Sequence, residues 1–365
     1  MPSLGGHRLV LIIACISGHG FGHGSRVAAL LGALHRLEPQ CRFLLSTPLP
    51  EAFLKQAFAA IPHQQRNCCW DVGVVQADAL GSDPAATLQA LEALEPLLAN
   101  QVELEAQAIS AMLLPGEKAV VLADVAPAAV LLAERLALPL VWQANFGWDA
   151  IYQELGGELV AWAKRCNGLY RRGTALLECP FCLEMDWELP RCKIGLSAGV
   201  PRLSPDELRL SIGWDFAKQK TAMLSLGGMG FPLDRKLLQR WPDWGFFVAE
   251  PELALASNAK LLPHDLRPLD LLPICGVVIT KPGYSTFCEA LGQGIGVIAV
   301  ERQGFAEAEV LLEGLRNHGW HRCLSRGSFL KGEWQLDEPL IPPAKGPLAP
   351  GGEIEAARYL LEFLT

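Results

Sequence analysis

The feature that most narrows the fold of this chain is a grammar used twice along it: a short, β-branched apolar run, a glycine-containing turn, then a stretch of helical periodicity. Residues 9–16 are such a run, followed by a Gly/His loop and by Val27, Leu30, Leu31, Leu34 and Leu37 at three- and four-residue steps. That spacing lines up one helical face and predicts an amphipathic helix. Further strands are predicted at 41–46, 119–123 and 140–143, with helices at 88–112 and 126–136. Strands alternating with helices read as parallel βαβ units, so the first half is expected to be a doubly wound α/β sheet.

The periodicity breaks in a Gly/Ser/Pro-rich stretch at 195–205 and then resumes, with strands predicted at 221–226, 276–280 and 296–300 and a helix at 305–317. A break of that composition marks an interdomain connection. The expected organisation is therefore two Rossmann-like domains, residues 1–195 and 196–348. A terminal segment, 349–365, carries an amphipathic helix that could pack back on the first domain. A length of 365 residues agrees with two domains rather than one, because single cores stop growing at about 250–300 residues.

Composition limits the function classes. Half of the residues are apolar and 19% are charged, which leaves little room for long disordered tracts. The net charge of −8 comes with no basic run able to follow a phosphate backbone, so nucleic acid is not an expected partner. No apolar stretch approaches the roughly 20 residues that span a bilayer. Arg8 alone is a poor n-region for a signal peptide, and residues 9–16 fit a buried first strand better. The eleven cysteines are scattered and odd in number, which suggests reduced thiols in a cytoplasm. Cys179 and Cys182 form a lone CxxC without the second ligand pair that a structural zinc site wants, so no metal site is expected.

Several residues could carry chemistry. The loop Ser17-Gly-His-Gly-Phe-Gly-His-Gly-Ser25-Arg26 joins the first strand to the first helix, where an open α/β sheet places its ligand crevice. Gly20 and Gly22 allow close backbone approach at a helix N-terminus. His19 and His23 either hydrogen-bond backbone carbonyls or transfer protons near neutral pH. Gly227, Gly228 and Gly230 follow a predicted strand as a phosphate-compatible turn. Gly283, Tyr284, Ser285 and Thr286 form a second turn. Thr286 and Glu289 match the capping-box spacing, while Glu289 could also accept hydrogen bonds from ribose. Asp124, Asn145 and Asp149 fall at strand ends, where they either cap helices or line the crevice. Trp148 and Tyr152 are either core aromatics or a sugar-stacking platform.

Taken in order, the run 17–26, Asp124-Val-Ala-Pro127, residues 145–152, Gly227 to Gly230 and residues 280–291 resemble the glycosyltransferase-like N-terminal half of plant-type L-arabinokinases and their bacterial stand-alone relatives. The second half is more distantly similar to the transferase that adds N-acetylglucosamine to peptidoglycan lipid intermediates. The resemblance implies a GT-B fold, two Rossmann-like domains facing across a cleft, and a cytoplasmic glycosyltransferase that moves a hexosyl or other glycosyl group from a nucleotide diphosphate sugar, UDP-linked, to an acceptor hydroxyl. On that reading His23 is the general base, with His19 as its alternative and Asp124 beside it. Gly20, Gly22, Gly227, Gly228, Gly283, Tyr284, Ser285, Thr286, Glu289 and Glu307 bind the nucleotide sugar. Asn145, Trp148 and Asp149 lie on the acceptor side. Neither a metal nor another cofactor is implied, because helix dipoles and backbone N–H groups can stabilise a departing diphosphate.

Where relatives carry Asp or Gln side chains toward the donor sugar, residues 302–309 read Arg-Gln-Gly-Phe-Ala-Glu-Ala-Glu, which leaves the sugar open. The stretch has no sugar-kinase phosphate loop, so arabinokinase activity does not travel with the resemblance. Two other readings remain at this point: a nucleotide-sugar epimerase, and a sugar or nucleotide sensor that keeps the site without the chemistry.

Overall fold

The computed structural model describes residues 9–78, 81–227, 233–302 and 305–364. The chain divides into two units. The first comprises residues 1–75, 84–195 and 351–365, and the second comprises 76–83 and 196–350.

The first unit opens with β1 (Val10–Ile16), buried along its whole length, as expected of a parallel strand covered on both faces. Helix α1 (Phe21–Leu37) follows, then β2 (Arg42–Ser46), α2 (Glu51–Ala57) and β3 (Gln64–Arg66). After the short β4 (Gln76–Asp78) and β5 (Gly81–Ser82), which pair antiparallel and belong to the second unit, come α3 (Pro84–Met112), β6 (Lys118–Asp124), α4 (Ala129–Leu136) and β7 (Leu140–Ala144). The segment ends with α5 (Trp148–Leu155), α6 (Leu159–Tyr170), β8 (Ala175–Glu178) and β9 (Arg191–Lys193). The strands form one parallel sheet in the order β3-β2-β1-β6-β7-β8-β9. The order reverses at β1, which pairs with β2 on one side and β6 on the other, and the last residues of β1 and β6, Ile16 and Asp124, stand in register. A reversal of this kind opens a crevice at the carboxyl ends of the strands.

The second unit repeats the plan. It contains α7 (Pro205–Ile212), β10 (Thr221–Ser225), α8 (Lys236–Gln239), β11 (Gly245–Val248), β12 (Ala259–Leu261), α9 (Pro268–Leu271) and β13 (Val277–Thr280). These are followed by α10 (Tyr284–Gly292), β14 (Gly296–Val300), α11 (Glu307–His318), β15 (His321–Leu324) and α12 (Arg326–Leu330). Its parallel sheet runs β12-β11-β10-β13-β14-β15, so the reversal falls at β10, where Ser225 and Thr280 are in register. Phe246, Phe329 and Trp334 are fully buried against Leu224 and Ile279 in its core. The last helix, α13 (Gly352–Glu362), belongs to the first unit, where it packs on α1 and buries Ala356, Ala357 and Leu360.

Two local expectations are corrected. Helix α4 begins at Ala129 rather than 126, because Val125 takes a left-handed backbone (φ 49°) and the next residues form a turn. The Thr286/Glu289 spacing is not a capping box. Gly283 is the N-cap of α10, no side chain caps it, and Thr286 is already inside the helix.

Candidate active site

At the reversal of the first sheet, α1 starts from Gly20, whose extended backbone is its N-cap without any side-chain cap. His23 sits in the first turn. Its Nδ1 is 2.7 Å from Asp124 Oδ1 at the end of β6. One turn on, Arg26 donates Nε to Asp124 Oδ2 and Nη2 to Oδ1, both at 2.7 Å, and Nη1 to Asn145 Oδ1 at 2.6 Å. Asp124 and Asn145 are wholly inaccessible and Arg26 nearly so. Burial by itself would raise the Asp124 carboxyl, but Arg26 and then His23 outweigh it and hold that carboxyl below the usual value. Asp124 is therefore an anion, and a hydrogen bond to it requires that His23 Nδ1 be the donor. The remaining nitrogen, Nε2, is then the one that carries a lone pair in neutral imidazole.

His19 is wired the opposite way. The Val74 N–H donates to His19 Nδ1 at 3.2 Å, so in the neutral ring the proton resides on Nε2. The two rings stand 6.2 Å apart, and Trp148 meets the His19 ring edge-on at 5.0 Å. Gly73 keeps this arrangement possible. Its φ is 68°, and a Cβ there would fall 2.6 Å from the His19 ring.

Trp148 and Tyr152 are core residues and not an exposed platform. The Trp148 indole donates to Asp71 Oδ2 at 2.7 Å, and the Tyr152 hydroxyl donates to the Gly73 carbonyl at 2.8 Å. Burial raises the Asp71 carboxyl, against hydrogen bonds from Ser17 and Trp148. Asp149 accepts from Asn167 and Trp187, both at 2.9 Å. Asp124 and Asp149 are thus network residues, and α4 and α5 have no side-chain caps. Asn145 and Trp148 are fully buried, Asn145 accepting from Arg26 and Trp148 donating to Asp71.

At the reversal of the second sheet, Gly227 has φ 90°, and its missing Cβ would lie 3.2 Å from the Lys281 side chain, so the turns after β10 and β13 adjoin. Gly228 and Gly230 lie outside the described residues. Gly283 leads into α10, whose first residues are Tyr284, buried, and Ser285 and Thr286, partly exposed. The uncapped helix end concentrates amide donors and partial positive charge. Glu289 is partly buried in the same helix. Burial pushes its carboxyl up to about 7, with Arg267 pulling the other way and Asp270 adding to the rise. Asp270 itself is buried, which disfavours its charge, yet hydrogen bonds from Arg267 and Arg202 take it down to about 2. Glu307 is buried at the start of α11.

Sequence reading missed Arg26 as a site residue, although it ends the Gly/His run, and it missed Asp71, Arg267 and Asp270. All eleven cysteines are free thiols. Among the described residues, no group of three or more His, Cys, Asp or Glu side chains is placed to hold a metal ion, and no helix is long and apolar enough to cross a membrane.

No family model matches the chain. Among curated proteins it is similar to the L-arabinokinase of Arabidopsis thaliana, at 26% identity over 329 residues, covering 87% of this chain and 31% of that protein. The chain thus spans about a third of that relative's length. Among solved structures it is similar to the glycotransferase of kitacinnamycin (TM-score 0.57, 16% identity, 97% of this chain and 98% of that one). It is also similar to a UDP-glucosyltransferase from Polygonum tinctorium capable of glucosylating indoxyl (0.61, 12%, 98% and 93%), and to Medicago truncatula UGT71G1 complexed with UDP-glucose (0.58, 12%, 97% and 93%). With two parallel Rossmann-like sheets and this likeness over nearly its whole length, the chain has the fold of the GT-B glycosyltransferases.

Proposed function

We propose that this protein is a glycosyltransferase that moves a sugar from a nucleoside diphosphate donor, UDP-linked, to an acceptor hydroxyl. The observation that carries the reading is the His23–Asp124 pair: an anionic carboxylate 2.7 Å from Nδ1 leaves Nε2 able to take a proton. His23 is the general base that removes the acceptor proton as the acceptor oxygen attacks the anomeric carbon, and the nucleoside diphosphate leaves with the electron pair of the broken bond. A positioned base of this type contributes about 10²–10⁴ in rate.

The second unit takes the donor. The amides at the start of α10, from Tyr284, Ser285 and Thr286, face the diphosphate together with the turn at Gly227, and the helix dipole offsets the charge that grows on it. Glu289 accepts from the ribose hydroxyls, and Glu307 lies toward the sugar. No metal ion is needed to assist departure. Gly20 and Gly22 keep the approach to His23 free of side chains; a Cβ on Gly20 would meet nothing within 4 Å. Asp124, Asn145, Trp148 and Asp149 hold the base and its surroundings, and His19 offers a donor in place of a second base. The UDP-sugar ligands of the structural neighbours support the choice of donor. The arabinokinase likeness adds no kinase chemistry.

The test is product formation. The full chain is incubated with a panel of UDP-sugars and alcohol, phenol and sugar acceptors, with a chelator present, and products are followed by mass spectrometry. A glycosylated acceptor with release of UDP supports the proposal. An isomerised donor without acceptor would replace it with an epimerase, and tight binding with no product in any combination would make the protein a sensor.

A further inference from the structure

Arg26, in α1 one turn after His23, is a long cation sealed where cations are costly. We propose that Arg26 is a positioning residue for the base: by gripping both oxygens of Asp124 and holding it ionised, it fixes His23 in the tautomer whose Nε2 is bare. This rests on the reading of His23 as the base and adds to it the group that sets the proton's location.

The argument is a count of donors. Both Asp124 oxygens accept from the guanidinium at 2.7 Å, and Oδ1 also faces His23 Nδ1 at 2.7 Å. Arginine does not give up its proton. A carboxyl held by two such charged donors stays ionised, and an ionised carboxylate can only accept, so Nδ1 must supply the third hydrogen bond. Asn145 anchors the remaining guanidinium nitrogen. Without Arg26 the same pocket would hold an uncompensated anion, and the His23–Asp124 pair would take up one proton as a unit. That proton could form imidazolium against carboxylate, or a carboxylic acid that donates to Nδ1. Both states place a hydrogen on Nε2 and silence the base. Arg26 therefore fills the charge position that a proton would otherwise fill.

The other charged or titratable groups about His23 do not substitute for it. His19 comes from the β1–α1 loop with its Nδ1 already accepting from Val74. Asp71, from the loop after β3, is an acid engaged by Trp148. The ring neighbours Phe146 and Trp148 carry no charge.

The experiment uses the full chain with 15N-labelled histidine, as wild type and as Arg26→Gln. Imidazole nitrogen shifts are read at pH 7 without substrate, and kcat/KM is measured against pH with a donor and acceptor that react. Wild type is expected to show Nδ1–H and bare Nε2. Arg26→Gln is expected to show Nε2–H, with the acid limb of the rate profile moved up by at least one pH unit and much of the activity regained at high pH. A purely structural role would lower kcat and leave the limb in place. The proposal is overturned by Nε2–H in wild type, or by an Arg26→Gln profile whose limb has not moved. If that variant does not fold, Arg26→Lys keeps the charge and is expected to lower kcat with the limb within a few tenths of a pH unit of wild type; a full-unit shift there would contradict the idea. The nitrogen shifts need no substrate, so failure to find any transferase product would sink the proposed function and leave this inference to be judged separately.

Discussion

The two sheets reverse their strand order in the same way, yet the groups they present there differ in kind. At the β1/β6 reversal, side chains from distant parts of the sequence converge in a buried network, His23 and Arg26 on Asp124, Arg26 on Asn145, Trp148 on Asp71. At the β10/β13 reversal the chain offers mostly backbone: two glycine turns in contact, an uncapped helix start, and Glu289 one turn further on. Side-chain networks hold one proton in one place, whereas backbone amides suit a ligand that brings several oxygens and its own charge. On the proposed function, one architecture used twice serves two tasks, proton transfer in the first unit and diphosphate binding in the second.

Substitutions can break this contrast, and the largest effect is expected in the first network. Asp124→Ala leaves Arg26 buried without its carboxylate, and loss of one partner of a buried pair costs about 3–5 kcal/mol. Chemical denaturation should show that loss; a decrease under about 1 kcal/mol would mean that water reaches the site and the network is not preorganised. Next in size is Gly73→Ala, which forces a side chain into a left-handed backbone and against His19. A cost of about 1–3 kcal/mol is expected, read in the same denaturation experiment, and a neutral outcome would show that the loop yields easily.

The second site should respond in affinity with little change in stability. Glu289→Gln removes one charged acceptor, for which a loss of about 1.5–3 kcal/mol in binding is expected, measured as UDP-sugar affinity by calorimetry, while melting stays near that of wild type. A fall in melting with affinity intact would make Glu289 structural. The smallest effect is a pH dependence. Because its carboxyl lies near 7 instead of the ordinary 4.5, Glu289 is largely protonated below that pH. On the proposed function the ribose hydroxyls donate to the ionised form, so affinity should strengthen as pH rises through 7 and level off above it, by at most about tenfold per pH unit. A UDP-sugar is the probe of choice, since its diphosphate has no proton to lose in this range. Glu289→Gln should flatten the curve.

How much of this could be read from sequence followed from burial. Strands β1, β6, β7, β10, β13 and β14 are covered on both faces and spell continuous apolar runs, which made the two sheets legible. The edge strands Gln64–Arg66, Arg191–Lys193 and Ala259–Leu261 are short and partly exposed, so no such run announces them. His23, Asp124 and Asn145 were legible because strand ends and glycine turns locate the crevice. Arg26 was not, since a charged residue in a first helix reads as a solvated face until Asp124 arrives from 98 positions away. Asp71 comes from a loop with no periodicity, and its hydrogen bonds from Ser17 and Trp148 join parts of the chain that no local pattern connects. The capping-box reading failed for a local reason: an extended Gly283 starts α10 before Thr286 can act as its cap.

The most direct test of the whole account pairs two measurements on His23→Ala. The account predicts that kcat falls by about 10²–10⁴ while UDP affinity stays within a few-fold of wild type, because base and diphosphate site belong to different units. Unchanged turnover, or a matching loss of UDP binding, would contradict it.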